Sequence, residues 1–328
     1  MTPLLIAVIL CALVFDLLNG IHDSSNIVAT MISSRSFSPR VALGITAVAE
    51  FVGPFLFGVA VAQTIGDEIA LPETINLPAI LAALLAAILW NLLTWYLGFP
   101  SSSSHALIGG FIGAVVAGAG WQAIQIKGLE KVLIALFTSP IIGFLFSFVL
   151  TRFIFALCWK ATPKINTFFK RSQIVSAVAL ALSHGANDAQ KTMGLITLAL
   201  VISGHLSTFV VPFWVIVLCA SMIALGTSLG GWRLIRTLGA KFYRIRPVDG
   251  FSSQLASAIV ILGNSFIGGP VSTTQVVSTS IMGVGAADRA NKVRWGVAGE
   301  IATAWLLTIP STALVAAAIY WILNAFIS

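Results

Sequence analysis

The sequence contains the polar stretch NGIHDSSN at residues 19–26, inside an apolar segment that runs from Pro3 to about Ile32. Four of its polar side chains lie on one face of a helix, because their spacing is i, i+3, i+4 and i+7. Such groups are costly at membrane depth and usually face a cavity that serves as an ion or substrate path. The stretch therefore predicts a functional helix within a membrane, with Asn19, His22, Asp23 and Asn26 on its polar face.

A second copy of this stretch, HGANDAQK, occupies residues 184–191 and also lies in a long apolar run. Asp188 of this copy corresponds to Asp23, and 165 residues separate them. The polar residues keep the same helical spacing, so the second copy presents an equivalent face. That face consists of His184, Asn187, Asp188 and Lys191.

The composition identifies the class of protein. Of the 328 residues, 58% are hydrophobic and 9% are charged, whereas a soluble domain carries about 25% charged residues. The sequence therefore predicts an all-α polytopic membrane protein. The net charge of +7 lies in short loops, where it encodes topology, and we expect no nucleic-acid partner. The three cysteines form neither a disulfide framework nor a metal motif, and we expect no cofactor.

Apolar runs of roughly 20 residues predict the membrane crossings. Two further apolar regions, 78–118 and 251–287, are interrupted by GFPSSSSH and GGPVSTTQ. The interruptions correspond to each other, because 170 residues separate Pro100 from Pro270. We expect each region to form a re-entrant hairpin with its tip near the midplane of the membrane. The continuous crossings are expected at 3–32, 41–62, 131–157, 172–202, 210–232 and 295–325.

The two sets of matching motifs indicate a tandem duplication. We expect a first repeat at 1–160, a short basic cytoplasmic linker at 161–171 and a second repeat at 172–328. The acidic loop 63–77 is expected outside, because basic loops stay on the cytoplasmic side. Both termini are then outside, and the halves form an inverted-topology repeat with broken helices, which is typical of secondary transporters. The basic loops expected inside are those near 35–40, 160–171, 233–246 and 289–294.

The hydroxyl-rich tips suit an anion. Each tip begins a helix whose first N–H groups have no intrahelical acceptor, and the helix dipole places positive charge there. Two tips that approach from opposite sides would surround a tetrahedral oxyanion, although Ser and Thr also simply allow close helix packing in lipid. The predicted substrate-binding residues are Ser101, Ser102, Ser103, Ser104, Ser272, Thr273, Thr274, Gln275 and Lys191.

Asp23 and Asp188 would repel an anion unless they hold cations. Uptake of an anion into a cell that is negative inside opposes roughly 2.3 kcal/mol per charge per 100 mV, so accumulation needs co-transported cations. Two interpretations stay open: the carboxylates bind Na⁺ with other oxygen ligands, or they carry protons. A buried acid satisfied by neighbouring helices is the structural alternative. The predicted coupling residues are Asp23, Asn26, Asn187, Asp188, His22, Asn91, Asn264 and Glu50.

Lys191 stands where the first copy has Asn26. Its ammonium group either balances the charge of the substrate or occupies the position of a cation, which would make the two sites unequal. A salt bridge to Asp188 is a third interpretation. The ring nitrogens of His22, His105 and His184 either carry protons during the cycle or serve as hydrogen-bonding partners.

These motifs resemble the inorganic phosphate transporter (PiT) family in a compact microbial form. The twin Gly-x-(Asn/His)-Asp stretches at 20–23 and 185–188 and the Gly-x-Pro-x-Ser-(Ser/Thr)-(Ser/Thr) segments at 98–104 and 268–274 carry the resemblance. It implies symport of inorganic phosphate with Na⁺ or H⁺. It also implies cation roles for Asp23, Asn26, Asn187 and Asp188, and phosphate contacts at the tips.

The sequence departs from the family pattern in three places. His22 stands where many members have Asn, Gln275 stands where His is common, and the large loop between halves is reduced to about 160–171. The two substitutions leave the identity of the cation and the choice of oxyanion open.

We therefore predict a secondary active transporter of the cell membrane that imports phosphate. A sulfate/cation symporter is the alternative, because both anions are tetrahedral and some relatives carry sulfate. An anion channel or an intramembrane hydrolase fits less well, since duplicated motifs suit alternating access and a catalytic triad needs only one copy. We expect no enzyme activity. The lipid bilayer, the anion and the coupling cation are the expected partners, with a homodimer left open.

Overall fold

The computed structural model describes residues 2–34, 36–98, 101–230, 245–293 and 295–327. Helices dominate this part of the chain, which confirms the all-α prediction. In chain order the α-helices are α1 (Pro3–Ser33), α2 (Pro39–Leu56), α3 (Ala60–Gln63), α4 (Leu77–Leu97), α5 (Ser103–Ala119), α6 (Ile126–Leu157), α7 (Ile165–Ile202), α8 (Phe213–Leu229), α9 (Pro247–Phe266), α10 (Thr273–Asp288) and α11 (Trp295–Ile327).

Within the described residues, five helices are long and apolar enough to cross a membrane. Their outward faces carry exposed Leu, Ile, Val and Phe side chains, which a lipid environment tolerates and water does not. The helices therefore support the predicted membrane protein. The five spans are Pro3–Ser33, Pro39–Leu56, Leu77–Leu97, Ile126–Leu157 and Ala302–Phe326.

The first interrupted region contains two separate helices, α4 and α5. α4 begins where the Asn76 side chain accepts a hydrogen bond from the backbone N–H of Ala79 at 3.0 Å. It ends at Gly98, which adopts a left-handed conformation with φ of 74° that glycine adopts readily. α5 then begins after Ser102. Pro100, the predicted helix-breaking residue, lies outside the described residues.

The second interrupted region repeats this arrangement. α9 ends at Phe266, Gly268 has φ of 73°, and α10 begins directly after Ser272. Each predicted break is therefore followed by a new helix that starts among the hydroxyl residues. α4 on its own is long enough to cross a membrane.

The predicted crossing at 41–62 is present but shorter, because its membrane-length helix covers Pro39–Leu56 and then breaks. α2 ends at Leu56, Gly58 takes φ of 77°, and α3 with a following π-helical turn, Thr64–Glu68, continues the chain. The Gln190 side chain on α7 satisfies the backbone groups freed by this break. Its Oε1 accepts from Val61 N at 2.8 Å, and its Nε2 donates to Gly58 O at 2.8 Å.

Two further boundaries differ from the sequence prediction. α7 begins at Ile165 and runs for 38 residues, so most of the predicted linker 161–171 is helical rather than loop. α8 ends at Leu229, whereas the predicted crossing continued to residue 232. Residues 231–244, with most of the predicted basic loop 233–246, lie outside the described residues, as do Arg35 and Arg294.

Helices from the two predicted repeats pack in exchanged pairs. α1 packs against α8, and the corresponding α7 packs against α2. In the same way α5 packs against α11, and α10 packs against α6. In each pair, a helix of one half packs against a helix of the other half. The polar stretches and both tips therefore meet in the interior.

Candidate functional site

The two polar helices cross in opposite directions at the centre of the molecule. Asn19 Nδ2 on α1 donates to Asp188 Oδ2 on α7 at 3.1 Å, and His184 Nε2 on α7 lies 3.7 Å from Asp23 Oδ2 on α1. As the residue number rises along α1, the number of its partner falls along α7. α1 and α7 are therefore antiparallel where their polar faces meet.

Glycines in both stretches bring helices into close contact. A Cβ atom at Gly20 would lie 2.3 Å from the backbone oxygen of Ile223 on α8, and one at Gly185 would lie 2.2 Å from the backbone oxygen of Glu50 on α2. Such distances leave no room for a side chain. The glycine of each stretch thus fixes how closely its helix approaches the other half.

Hydroxyl groups from the tips contact both carboxylates directly. Thr274 Oγ1 donates to Asp23 Oδ1 at 2.7 Å, and Ser103 Oγ donates to Asp23 Oδ2 at 3.4 Å. Thr273 Oγ1 lies 3.2 Å from Asp188 Oδ2 and 3.5 Å from Asp23 Oδ2. All five residues are buried, and the structure brings the predicted anion and cation residues into one cluster.

The last residue of each polar face reaches the tip of the other half. Asn26 Nδ2 on α1 donates to Thr274 Oγ1 at 3.0 Å. Lys191 Nζ on α7 donates to Ser104 Oγ at 2.6 Å and to Asp188 Oδ1 at 2.5 Å. Ser104 in turn donates to the backbone of the second tip. The two halves thus exchange contacts through these corresponding positions.

Asn187 holds the backbone of the second tip. Its Oδ1 accepts from Val271 N at 3.2 Å, while its Nδ2 donates to Ser265 Oγ at 2.8 Å and to Gly269 O at 3.3 Å. The corresponding residue His22 has a different environment. Its Nδ1 lies 3.3 Å from Asp23 Oδ1, and its Nε2 has no hydrogen-bonding partner among the described residues.

Asn91 lies beside His22 rather than in the carboxylate cluster. Both residues line a cavity of about 100 Å³ between α1 and α4. Neither amide atom of Asn91 has a hydrogen-bonding partner within the described ranges. The other lining residues are Leu18, Ile21, Leu92 and Trp95.

Glu50 and His184 form a buried acid–base pair. Glu50 Oε1 lies 2.8 Å from His184 Nδ1, and the other ring nitrogen lies 3.2 Å from Asp188 Oδ2. The imidazole ring therefore joins Glu50 on α2 to the carboxylate of Asp188. Glu50 was predicted as a coupling residue, but its partner could not be deduced from the sequence.

Serines at two equivalent positions cap the tip helices. Ser102 Oγ accepts from His105 N at 3.1 Å, and Ser272 Oγ accepts from Gln275 N at 3.4 Å. The two tips also face each other, since Gln275 Nε2 lies 3.3 Å from His105 Nε2. In a helix capped in this way, the N–H groups of the two residues directly after the capping serine have no intrahelical acceptor.

Two predicted site residues have their described contacts away from the cluster. Ser101 Oγ donates to Thr94 Oγ1 at 2.7 Å, within the first hairpin. Asn264 Nδ2 donates to Val260 O of its own helix at 2.9 Å. Their described hydrogen bonds stabilise the hairpins rather than the carboxylate cluster.

A further buried acid, Asp16, was not predicted from the sequence. Thr192 Oγ1 lies 2.7 Å from each of its carboxylate oxygens, and the Cys219 side chain is also in contact with it. Asp16 sits three residues before Asn19, so extending the polar face by one helical turn would have found it.

The cluster has the ligand atoms that a hard cation requires. Single ligand atoms of Asp23, His184 and Asp188 all lie within 4.8 Å of one another. Asn19 Oδ1, beside Asp188, is a buried acceptor without a hydrogen-bonding partner in the described part of the chain. Carboxylate and amide oxygens are the ligands that such cations prefer, so the residues present fit a bound Na⁺.

Comparisons with known proteins match this chain to phosphate transporters. A family model described as "Phosphate transporter family" matches residues 19–166 and 156–316. A probable low-affinity inorganic phosphate transporter of Bacillus subtilis is 47% identical over 326 residues, covering 98% of this chain and 97% of the relative. A relative with the same description from Rhizobium meliloti is 44% identical over 321 residues, covering 97% of this chain and 96% of its own length.

A solved structure shares the whole fold. It is described as "The sodium-dependent phosphate transporter" and superposes with a TM-score of 0.93 at 25% identity, covering 99% of this chain and all of the other. These relatives are transporters and not enzymes, in agreement with the prediction. Together with the family match over nearly the whole length, they establish that this chain belongs to the phosphate transporter family.

Proposed function

We propose that this membrane protein imports inorganic phosphate by symport with a cation, through alternating access. Phosphate transport follows from the family. The observation that carries the rest is the single buried cluster in which Asp23 and Asp188 meet the hydroxyl groups of both tips. Two carboxylates would repel an anion at the neighbouring helix ends unless a cation binds together with it.

The hydroxyl contacts suggest how the two ions depend on each other. Ser103, Thr273 and Thr274 donate to carboxylate oxygens in this structure. A cation bound beside Asp23 would neutralise that carboxylate and release the hydroxyl groups that contact it toward phosphate oxygens. The N–H groups at the starts of α5 and α10 would complete the anion site. Phosphate would therefore bind well only after the cation.

Na⁺ is the favoured coupling cation. The possible cation ligands around Asp23 and Asp188 are mainly oxygen atoms, including Asn19 Oδ1, which has no hydrogen-bonding partner among the described residues. The similar solved structure is also described as sodium-dependent. The proton is the second candidate. The Glu50–His184 contact at 2.8 Å offers a buried acid–base pair next to the cluster, which is the arrangement that a proton carrier would use.

Alternating access would arise from an inverted pair of repeats, 1–160 and 172–328, with re-entrant hairpins at 78–118 and 251–287. The antiparallel crossing of α1 and α7, which carry corresponding stretches, supports this proposal. The exchanged contacts of Asn26 and Lys191 support it as well. The protein would lie in the cell membrane with both termini outside.

Sulfate transport is the second candidate function. Sulfate and phosphate share a tetrahedral shape, but phosphate at neutral pH can donate a hydrogen bond and sulfate cannot. The carboxylates of Asp23 and Asp188 are acceptors that lie directly beside the tips. Their position favours an anion that donates, and therefore favours phosphate.

Uptake by purified protein in proteoliposomes tests the function. Radiolabelled phosphate should accumulate above its outside concentration when an inward Na⁺ gradient is imposed, and sulfate at tenfold excess should compete weakly. An ionophore that collapses the gradient is the matched control. Accumulation driven only by a proton gradient would select the proton, whereas uptake that never exceeds equilibrium under either gradient would contradict symport. Light scattering of the purified protein tests the homodimer.

A further inference from the structure

We propose that Lys191 is a tethered cation that occupies the place of one coupling cation, so that the mobile cation binds beside Asp23 in the other half. The proposal rests on the symport function proposed above and concerns how many charges that symport moves. Lys191 corresponds to Asn26, and the two side chains make equivalent contacts across the molecule: Asn26 with Thr274 and Lys191 with Ser104.

The surroundings of the Lys191 ammonium resemble the ligands of a bound cation. Nζ lies 2.5 Å from a carboxylate oxygen of Asp188, 2.6 Å from the hydroxyl oxygen of Ser104 and 2.9 Å from the backbone oxygen of Val271. Carboxylate, hydroxyl and carbonyl oxygens are also the atoms with which a protein coordinates Na⁺. The Lys191 side chain is 2% exposed, so water does not compete for these oxygen atoms.

In the first half the residue that corresponds to Lys191 is the neutral Asn26. Asp23 Oδ1 receives hydrogen bonds from the neutral groups Asn26 Nδ2 at 2.8 Å and Thr274 Oγ1 at 2.7 Å. Within the described ranges, its ion-pair contacts are two imidazole rings, those of His22 and His184, and no lysine or arginine. An imidazole carries charge only when it is protonated, and a buried carboxylate without a permanently charged partner is costly. The Asp23 side of the cluster is therefore the half that gains from a mobile cation.

The difference between the halves has a measurable consequence. If both halves carried asparagine at this position, each carboxylate would need its own mobile cation. With Lys191 in place, Asp188 is already neutralised, and each phosphate enters with one fewer positive charge. The number of charges moved per phosphate is thus set by the residue at this position.

The decisive experiment measures charge stoichiometry in proteoliposomes. The membrane voltage at which net phosphate flux stops, under fixed Na⁺, proton and phosphate gradients, gives the charge moved per phosphate.

Lys191→Asn restores the residue of the first half and should move one more positive charge per phosphate, with uptake that requires a higher cation concentration. Lys191→Met removes the charge without supplying an oxygen, and cation addition should not rescue it. Asn26→Lys adds a second tethered cation and should reduce the charge moved by one.

The outcomes separate the two proposals. Wild-type protein that never concentrates phosphate contradicts symport itself, before any variant is compared. An unchanged charge per phosphate in Lys191→Asn overturns the tethered cation. So does a folded Lys191→Asn protein that stays inactive at every cation concentration, because that result assigns Lys191 to phosphate contact or to structure. If Lys191→Asn fails to fold, Asn26→Lys decides: an unchanged cation requirement there overturns the proposal.

Discussion

Gly20 on α1 lies directly against the backbone oxygen of Ile223 on α8, so close that a Cβ atom would stand 2.3 Å from that oxygen. Gly185 on α7 has the same relationship to the backbone oxygen of Glu50 on α2, at 2.2 Å. Backbone on each side of these contacts cannot move away as a flexible side chain could. The glycines of the two polar stretches therefore hold the exchanged helix pairs together.

Gly20→Ala should destabilise the folded protein. Forcing a methyl group into a packed contact costs roughly 1–3 kcal/mol, and helix propensity recovers less than about 1 kcal/mol. We expect the melting temperature of the detergent-solubilised protein to fall by about 3 °C or more. Gly44→Ala is the matched control, because Gly44 lies in α2 and a Cβ atom there would have no neighbouring atom within 4 Å. Equal melting temperatures for the two variants would contradict the close contact.

Asp23→Asn should abolish concentrative phosphate uptake while leaving the protein folded. The carboxylate accepts hydrogen bonds from Thr274 and Asn26, and an amide keeps its shape but cannot neutralise a cation. Loss of a buried ionic contact of about 3 kcal/mol or more should lower the initial uptake rate about 100-fold. Glu73→Gln, at an exposed position, is the control. Wild-type accumulation by Asp23→Asn would remove this carboxylate from coupling.

Local patterns in the sequence predicted the individual elements of the site. The hydroxyl residues that begin α5 and α10 were identified because Ser and Thr are typical of a helix start, and because glycine and proline before them indicate that the preceding helix has ended. The polar faces followed from helical spacing in the same way. Asp16 belonged to that spacing and was simply not included.

Contacts between distant segments could not be predicted in this way. Nothing in the sequence indicates that Asn26 meets Thr274 or that Glu50 meets His184, because those pairs depend on how α1, α2, α7 and α10 pack. The break after Leu56 was missed for a related reason. Its backbone groups are satisfied by Gln190, which lies far along the chain.

Thr274→Val should raise the phosphate concentration needed for half-maximal uptake. Valine has nearly the shape of threonine but lacks the hydroxyl that contacts Asp23 and Asn26. A hydrogen bond to a charged group contributes about 1.5–3 kcal/mol, so we expect an increase of roughly tenfold or more. Uptake kinetics in proteoliposomes measure it. Thr274→Ser keeps the hydroxyl and should stay near the wild-type value; a similar increase in both variants would argue against a role for the hydroxyl.

Asn187→Ala should loosen the second tip. The substitution removes the acceptor of the Val271 N–H and the donor to Gly269 O, and each buried group left unpaired costs roughly 1–3 kcal/mol. We expect slower uptake together with faster backbone hydrogen exchange at residues 267–272. Asn264→Ala is the control, since its described hydrogen bond stays within its own helix. Unchanged exchange in Asn187→Ala would show that other contacts hold the tip.

The orientation in the membrane is tested by cysteine labelling. After replacement of the three native cysteines, single cysteines are introduced at Asp67 in the acidic segment and at Lys164 beside the start of α7. Because basic segments remain cytoplasmic, a membrane-impermeant maleimide added to intact cells should label the cysteine at Asp67 and leave the one at Lys164 unlabelled until the membrane is permeabilised. Labelling of both sites in permeabilised cells confirms that each thiol is reachable. The opposite pattern in intact cells would reverse the proposed topology, and with it the assignment of the first half as the one that begins outside.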